Sequence, residues 1–205
     1  MTRNASARRE ARRQQLVDAA RKVFARLGYH GASVEDVIRE AGVARGTFYN
    51  YFPSKRAVFK GVVEDLFQAV STAPVPIRPE LGDVPGQIRA NLMRIFGALS
   101  RHEDLARILM AETPGLDAEA DRDLRDFYSR ALMRLERALR AGQQMGVIRS
   151  GDASTLSRCL LGMIKEPVFQ SMLDGTHLDV ESVVDEAFGV VALGLLARPV
   201  GTAAP

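Results

Sequence analysis

Residues 45–55 read RGTFYNYFPSK, with four aromatics in the five positions 48–52. A helix turns once in about 3.6 residues, so Phe48 and Phe52 fall on one side and Gly46 and Asn50 roughly opposite. Thr47 and Tyr51 lie on one flank, Arg45 and Tyr49 on the other. The aromatics are therefore two sets. Phe48 and Phe52 carry no polar atoms and suit a core. Tyr49 and Tyr51 carry hydroxyls that suit phosphate oxygens along a groove. Gly46 lets a backbone come close to DNA. Arg45 and Asn50 are the side chains here best able to pair bidentately with base edges, Arg with guanine and Asn with adenine. Lys55 begins the next helix and can add a charge to amides that already face a phosphate.

The residues upstream complete a motif. In ARRQQLVDAARKVFARLGYHG, Leu16, Ala20, Val23, Phe24 and Leu27 recur at three- and four-residue spacing up to Gly28. This predicts an amphipathic helix with arginines outside and a loose arm over residues 1–7. Ser33 and Asp36 form a Ser-x-x-Asp box that opens a second helix, with Val37, Ile38 and Ala41 inside. Gly42 supplies the left-handed residue of a tight turn. A third helix is expected over 44–52, then a break at Pro53-Ser54 and a fourth helix over 55–70. Two short helices about a glycine turn, behind a third, are the helix-turn-helix plan.

SVEDVIREAGVARGTFYNYFPSKRAVF (33–59) resembles the DNA-binding region of the TetR/AcrR family of bacterial regulators. The family pattern matches at Ser33, Ala41-Gly42-Val43, Gly46-Thr47, Phe48-Tyr49, Tyr51-Phe52 and Lys55. The resemblance implies phosphate contacts from Ser33, Thr47, Tyr49, Tyr51 and Lys55. It implies base reading by Arg45, Gly46 and Asn50, with Tyr49 sharing. One position departs: Ala44 stands where the family often has a capping Ser or Thr, whose loss costs about 1 kcal/mol.

Charge divides in the same place. Residues 1–60 hold 13 Lys/Arg against 5 Asp/Glu, whereas the remainder holds 15 against 20. A basic front end suits a polyanion. Arg8, Arg9, Arg12 and Arg13 would strengthen salt-sensitive, non-specific binding.

Beyond the motif, STAPVPIRPELGDVPG (71–86) carries four of the nine prolines and reads as a linker. Helices are expected over QIRANLMRIFGALS, then from a second capping box at Ser100 and Glu103, over 117–144, 152–175 and 179–197, with a turn at Thr113-Pro114-Gly115. Pro167 should kink its helix. The last helix is apolar nearly all round (Val180, Val183, Val184, Phe188, Val190, Val191, Leu193, Leu195), which calls for burial on more than one side. A two-fold homodimer through the last two helices satisfies this, and the family resemblance implies the same. The resemblance also implies a pocket for an apolar or amphipathic small molecule, with Phe96, Met110, Phe127, Met163 and Phe169 as candidate lining.

The expected fold is all-α, with about nine helices. Residues 1–53 form a helix-turn-helix domain with a basic arm, 54–199 a ligand-binding and dimerisation domain entered by a linking helix, and 200–205 a disordered tail. The longest apolar run, AFGVVALGLLA, is too short to span a bilayer, no signal peptide is visible, and the single Cys159 fits a reducing compartment, so a cytoplasmic protein without membrane partners is expected. His30, His102 and His177 lack metal-ligand spacing, and no carboxylate pair, phosphate loop or nucleophile elbow is found. Neither an enzyme nor a cofactor is expected. The expected function is a ligand-released repressor that binds double-stranded DNA at a palindromic operator. The alternative is a ligand-blind DNA-binding protein of the same fold, acting through a protein partner in nucleoid or division control.

Overall fold

A computed structural model describes residues 2–103 and 120–196. They form eight α-helices: α1 Thr2–Gly31, α2 Val34–Ala41, α3 Arg45–Tyr49, α4 Lys55–Thr72, α5 Val84–Arg101, α6 Ala120–Gln144, α7 Ala153–Leu173 and α8 Val180–Gly194. A 3-10 turn, Pro79–Leu81, interrupts the proline-rich segment. Among the described residues the sole extended pairing is an isolated bridge between Ile148 and Leu196. The fold is all-α as expected, and its helix count is close to nine.

The described residues divide into two compact units, one drawn from 1–68 and 102–127, the other from 69–101 and 128–205. In the first, the apolar stripe of α1 (Leu16, Val17, Ala20, Val23, Phe24) is buried with Val37 and Ala41 of α2, Phe48 of α3 and Val58, Phe59, Val62 and Val63 of α4. Gly28 leaves helical geometry at φ 69°, ψ 166°. The chain therefore turns where the sequence placed a stop, and Tyr29 swings inward onto Phe59 with ring centroids 4.6 Å apart. The N-terminal arm differs from expectation: helix begins at Thr2, not after residue 7. Its alanines and arginines are strong helix formers with no breaker among them, so the first helix extends through them.

The second unit pairs α5 with α8 and gathers Leu139, Ala153, Val191 and Leu195 into a core, with Ile88, Ile148, Leu156, Leu160 and Met163 packed against it. Carboxylates cap both of its last helices: Asp152 accepts from Thr155 N at 2.9 Å and Asp179 from Ser182 N at 3.2 Å. α7 continues through Pro167 as one helix. A second difference lies at Ser100, expected to cap a new helix, which instead sits in the last turn of α5. The apolar stripe of α5 carries the helix past Ser100. The expected turn at Thr113-Pro114-Gly115 lies outside the described residues.

Candidate nucleic-acid interface

The site is built on the two short helices α2 and α3. Ser33, with φ −117° and ψ 163°, stands at the N-cap of α2. Its hydroxyl accepts from Asp36 N at 3.2 Å and donates to Asp36 Oδ2 at 2.6 Å, while Ser33 N donates to the same carboxylate at 3.0 Å. These hydrogen bonds from Ser33 hold the Asp36 carboxyl below its ordinary pKa of 3.8. Two backbone donors at this helix start, Ser33 N and Asp36 N, are thereby satisfied. The expected phosphate ligand is thus already donating its hydroxyl proton within the domain.

At the other end of α2, Gly42 adopts φ 63°, ψ 36°. Its N–H reaches Arg39 O and that of Val43 reaches Ile38 O, both at 3.3 Å. The side chain of Gln15 on α1 donates to Ala41 O at 2.9 Å, satisfying another terminal carbonyl. The turn that separates α2 from α3 is therefore fixed from both sides.

α3 is pinned by its apolar side. Phe48 is fully buried and Phe52 nearly so. The Arg13 guanidinium lies over the Phe52 ring at 5.6 Å from its centroid. Arg45, Gly46, Tyr49 and Asn50 are exposed, and Thr47 and Tyr51 are half-buried. The two interleaved sets predicted from spacing are separated in space. Regular helix ends at Tyr49, earlier than expected, but Asn50 keeps helical dihedrals (φ −69°, ψ −17°). Ala44 stands at the N-cap of α3 with no side-chain hydrogen bond.

Gly46 is informative by what does not surround it. A Cβ built there meets no atom within 4 Å, and its φ is not in the left-handed range. Neither packing nor backbone conformation within this chain requires glycine at that position.

Two charged side chains have partners that the sequence reading did not include. Arg45 Nη2 lies 3.3 Å from Glu35 Oε1 on α2, and its guanidinium carbon sits 5.8 Å from the Tyr49 ring centroid. Lys55 Nζ donates to Tyr29 O at 2.8 Å and Ala32 O at 3.0 Å, and lies 4.5 Å from the Tyr29 ring centroid. An ammonium has three donors, and Lys55 ties α4 to the end of α1 with two of them. Ser54 recaps α4, its Oγ accepting from Ala57 N at 3.1 Å. Further along α4, Arg56 Nε and Lys60 Nζ converge on the buried Asp123 of α6, at 3.1 and 3.6 Å.

The described candidate pocket residues fall in both units. Phe96 is fully buried in the second unit. Met163 and Phe169 are half-buried there, and Met163 packs against the Leu139–Val191 core. Phe127 belongs to the first unit and meets Phe67 edge-on at 5.7 Å. Met110 lies outside the described residues. Among the described residues no helix is long and apolar enough to cross a membrane, and no group of three or more His, Cys, Asp or Glu could hold a metal ion.

Residues 16–62, from the middle of α1 into α4, match the family described as bacterial regulatory proteins, tetR family. Over 144 residues the chain is 31% identical to the HTH-type transcriptional repressor SCO4008 of Streptomyces coelicolor, covering 68% of each protein. The chain belongs to the tetR family. This tetR-family protein is also 29% identical over 191 residues to the HTH-type transcriptional regulator YdgC of Bacillus subtilis, covering 91% of this chain and 93% of YdgC. Its fold is that of the fatty acid degradation regulator FadR from Bacillus halodurans, with a TM-score of 0.76 at 25% identity over 91% of this chain and 97% of that one. It is a helix-turn-helix transcriptional regulator, and the matched segment contains α2 and α3 with every residue of the candidate interface.

Proposed function

We propose that this tetR-family regulator is a repressor that holds a palindromic operator as a homodimer and is released by a small apolar or amphipathic effector. The observation that carries the DNA reading is the division of α3. Phe48 and Phe52 are buried, while Arg45, Gly46, Tyr49 and Asn50 are exposed together on its outer side. Arg45 and Asn50 read base edges, Gly46 admits the close approach of the groove, and Tyr49 shares both base and phosphate contacts. Thr47, Tyr51, the α2 start at Ser33 and the remaining donor of Lys55 lie along the phosphates.

Dimerisation is supported by α8. Val184, Ala187, Val191 and Leu195 are buried within the second unit, yet Val190 and Leu193 remain 64% and 81% exposed on the same helix. A second apolar face of this kind suits an isologous two-fold contact, which sets two recognition helices about 34–36 Å apart for successive major grooves. Repression is supported by the relative SCO4008, named as a repressor. An acyl-chain effector is supported by the relation to a fatty acid degradation regulator.

The test is thermal unfolding of the purified protein with a panel of fatty acids and other amphipathic molecules, followed by operator titration with each hit. A ligand at 100 times its Kd stabilises by about 2.7 kcal/mol, and the same ligand must weaken DNA binding by the factor by which DNA weakens it. A protein that no member of the panel stabilises, yet that binds an operator tightly, would instead be the ligand-blind regulator.

A further inference from the structure

We propose that Glu35 is a specificity-determining residue, whose carboxylate holds the Arg45 guanidinium off the DNA backbone and aimed at a base edge. The inference rests on the reading of Arg45 as a base reader and deepens it. The acidic residues of α2 divide by direction. Asp36 turns back onto Ser33, and Glu40 onto Lys22 and Arg26 of α1 at 3.7 Å. Glu35 turns instead across the motif to α3, where its Oε1 lies 3.3 Å from Arg45 Nη2.

Both partners are exposed, with side-chain values of 69% for Arg45 and 54% for Glu35. Exposed ion pairs of this kind add little to stability, so the fold does not require the carboxylate. On a surface that meets phosphates, a carboxylate also repels the ligand. Its use lies in what an arginine does without it. A free guanidinium at a groove edge pairs bidentately with whichever phosphate is nearest, a contact that carries no sequence information. Glu35 competes with the phosphate for Arg45, and the Tyr49 ring beside it further limits the side chain. Arginine has five N–H donors, so an edge held by Glu35 leaves others for guanine O6 and N7. The carboxylate therefore weakens non-specific binding and sharpens the specific contact.

The experiment uses the full chain and a duplex enriched by it from a random pool, together with every single-base variant of one half-site. Affinities are measured at several salt concentrations for wild type, Arg45→Ala, Glu35→Ala and Glu35→Gln. Arg45→Ala is expected to lose discrimination at one base position by roughly 5- to 150-fold, the range of a bidentate contact. Glu35→Ala and Glu35→Gln are expected to lose roughly 2- to 12-fold at that same position, the range for ordering one long side chain. Both Glu35 variants should bind random-sequence DNA more tightly than wild type, with a salt slope steeper by about one phosphate contact. Their thermal unfolding should match that of wild type, which separates the effect from misfolding. The inference is overturned if Arg45→Ala loses discrimination at a position where the Glu35 variants retain it, or if their loss is spread evenly over the half-site. If Arg45→Ala retains full discrimination, Arg45 is not a base reader and both readings fall.

Discussion

Replacing Gly46 by alanine separates what the fold needs from what DNA needs. Glycine in a helix is less favourable than alanine by about 0.5–1 kcal/mol. At Gly46 the added Cβ meets nothing within 4 Å and the backbone is not left-handed, so the free protein gains that preference at no steric cost. For a chain of 205 residues the expected rise in melting temperature is about 1–4 °C. On DNA the sign reverses. A groove wall brought against the glycine backbone has no room for a methyl group, and such overpacking costs about 1–3 kcal/mol. That corresponds to roughly 5- to 150-fold in operator affinity. Thermal unfolding by circular dichroism and titration of a labelled operator measure the two effects on one sample. A variant that melts higher and binds as tightly as wild type would show that DNA does not approach Gly46. A variant that melts lower would refute the reading of open space around it.

Four further expectations follow from the same contacts. Lys55→Met leaves the Tyr29 and Ala32 carbonyls without their charged donor, and should lower stability in urea unfolding by about 1–3 kcal/mol while also weakening DNA of every sequence. Asp123→Ala removes the shared partner of Arg56 and Lys60; Arg56 is part-exposed, so the loss should be about 1–3 kcal/mol, below that of a fully buried pair. Ser33→Ala should cost about 0.5–2 kcal/mol at neutral pH. Because its partner Asp36 titrates below 3.8 in the fold, this bond's contribution is present above that value and is lost as pH falls through the lowered pKa, so wild type and Ser33→Ala should converge in acid unfolding. Leu193→Glu places a charge on the exposed face of α8; if α8 forms the proposed two-fold contact, sedimentation should find a smaller species than wild type, and operator binding should weaken.

Much of the first unit was legible because its signals are local. The Ser33–Asp36 box, the glycine at 42 and the spacing of Phe48 and Phe52 each act within about one helical turn, and the structure realises all three. Contacts between residues far apart in sequence were not legible. Gln15 reaches Ala41, Lys55 reaches Tyr29 and Ala32, and Arg56 reaches Asp123. Nothing within a single helix announces such pairings, since each depends on how two helices are set side by side. The Glu35–Arg45 pair spans the turn between adjacent helices. Their opposite charges were visible, but not the register that brings them within reach. A loose arm is expected over residues 1–7, whereas helix propensity sets its backbone as helix from Thr2. At Ser100 a local capping pattern lay inside a longer apolar periodicity, and the periodicity prevailed.

Whether α3 reads a two-fold symmetric DNA site is tested most directly by selection of bound duplexes from a random pool by the purified full chain. The expected product is a palindrome whose half-sites are centred about 10–10.5 base pairs apart or a multiple of that, with an enriched guanine lost when Arg45→Ala is used and an enriched adenine lost with Asn50→Ala. Recovery of no common sequence, or of a palindrome unchanged by both substitutions, would contradict that reading.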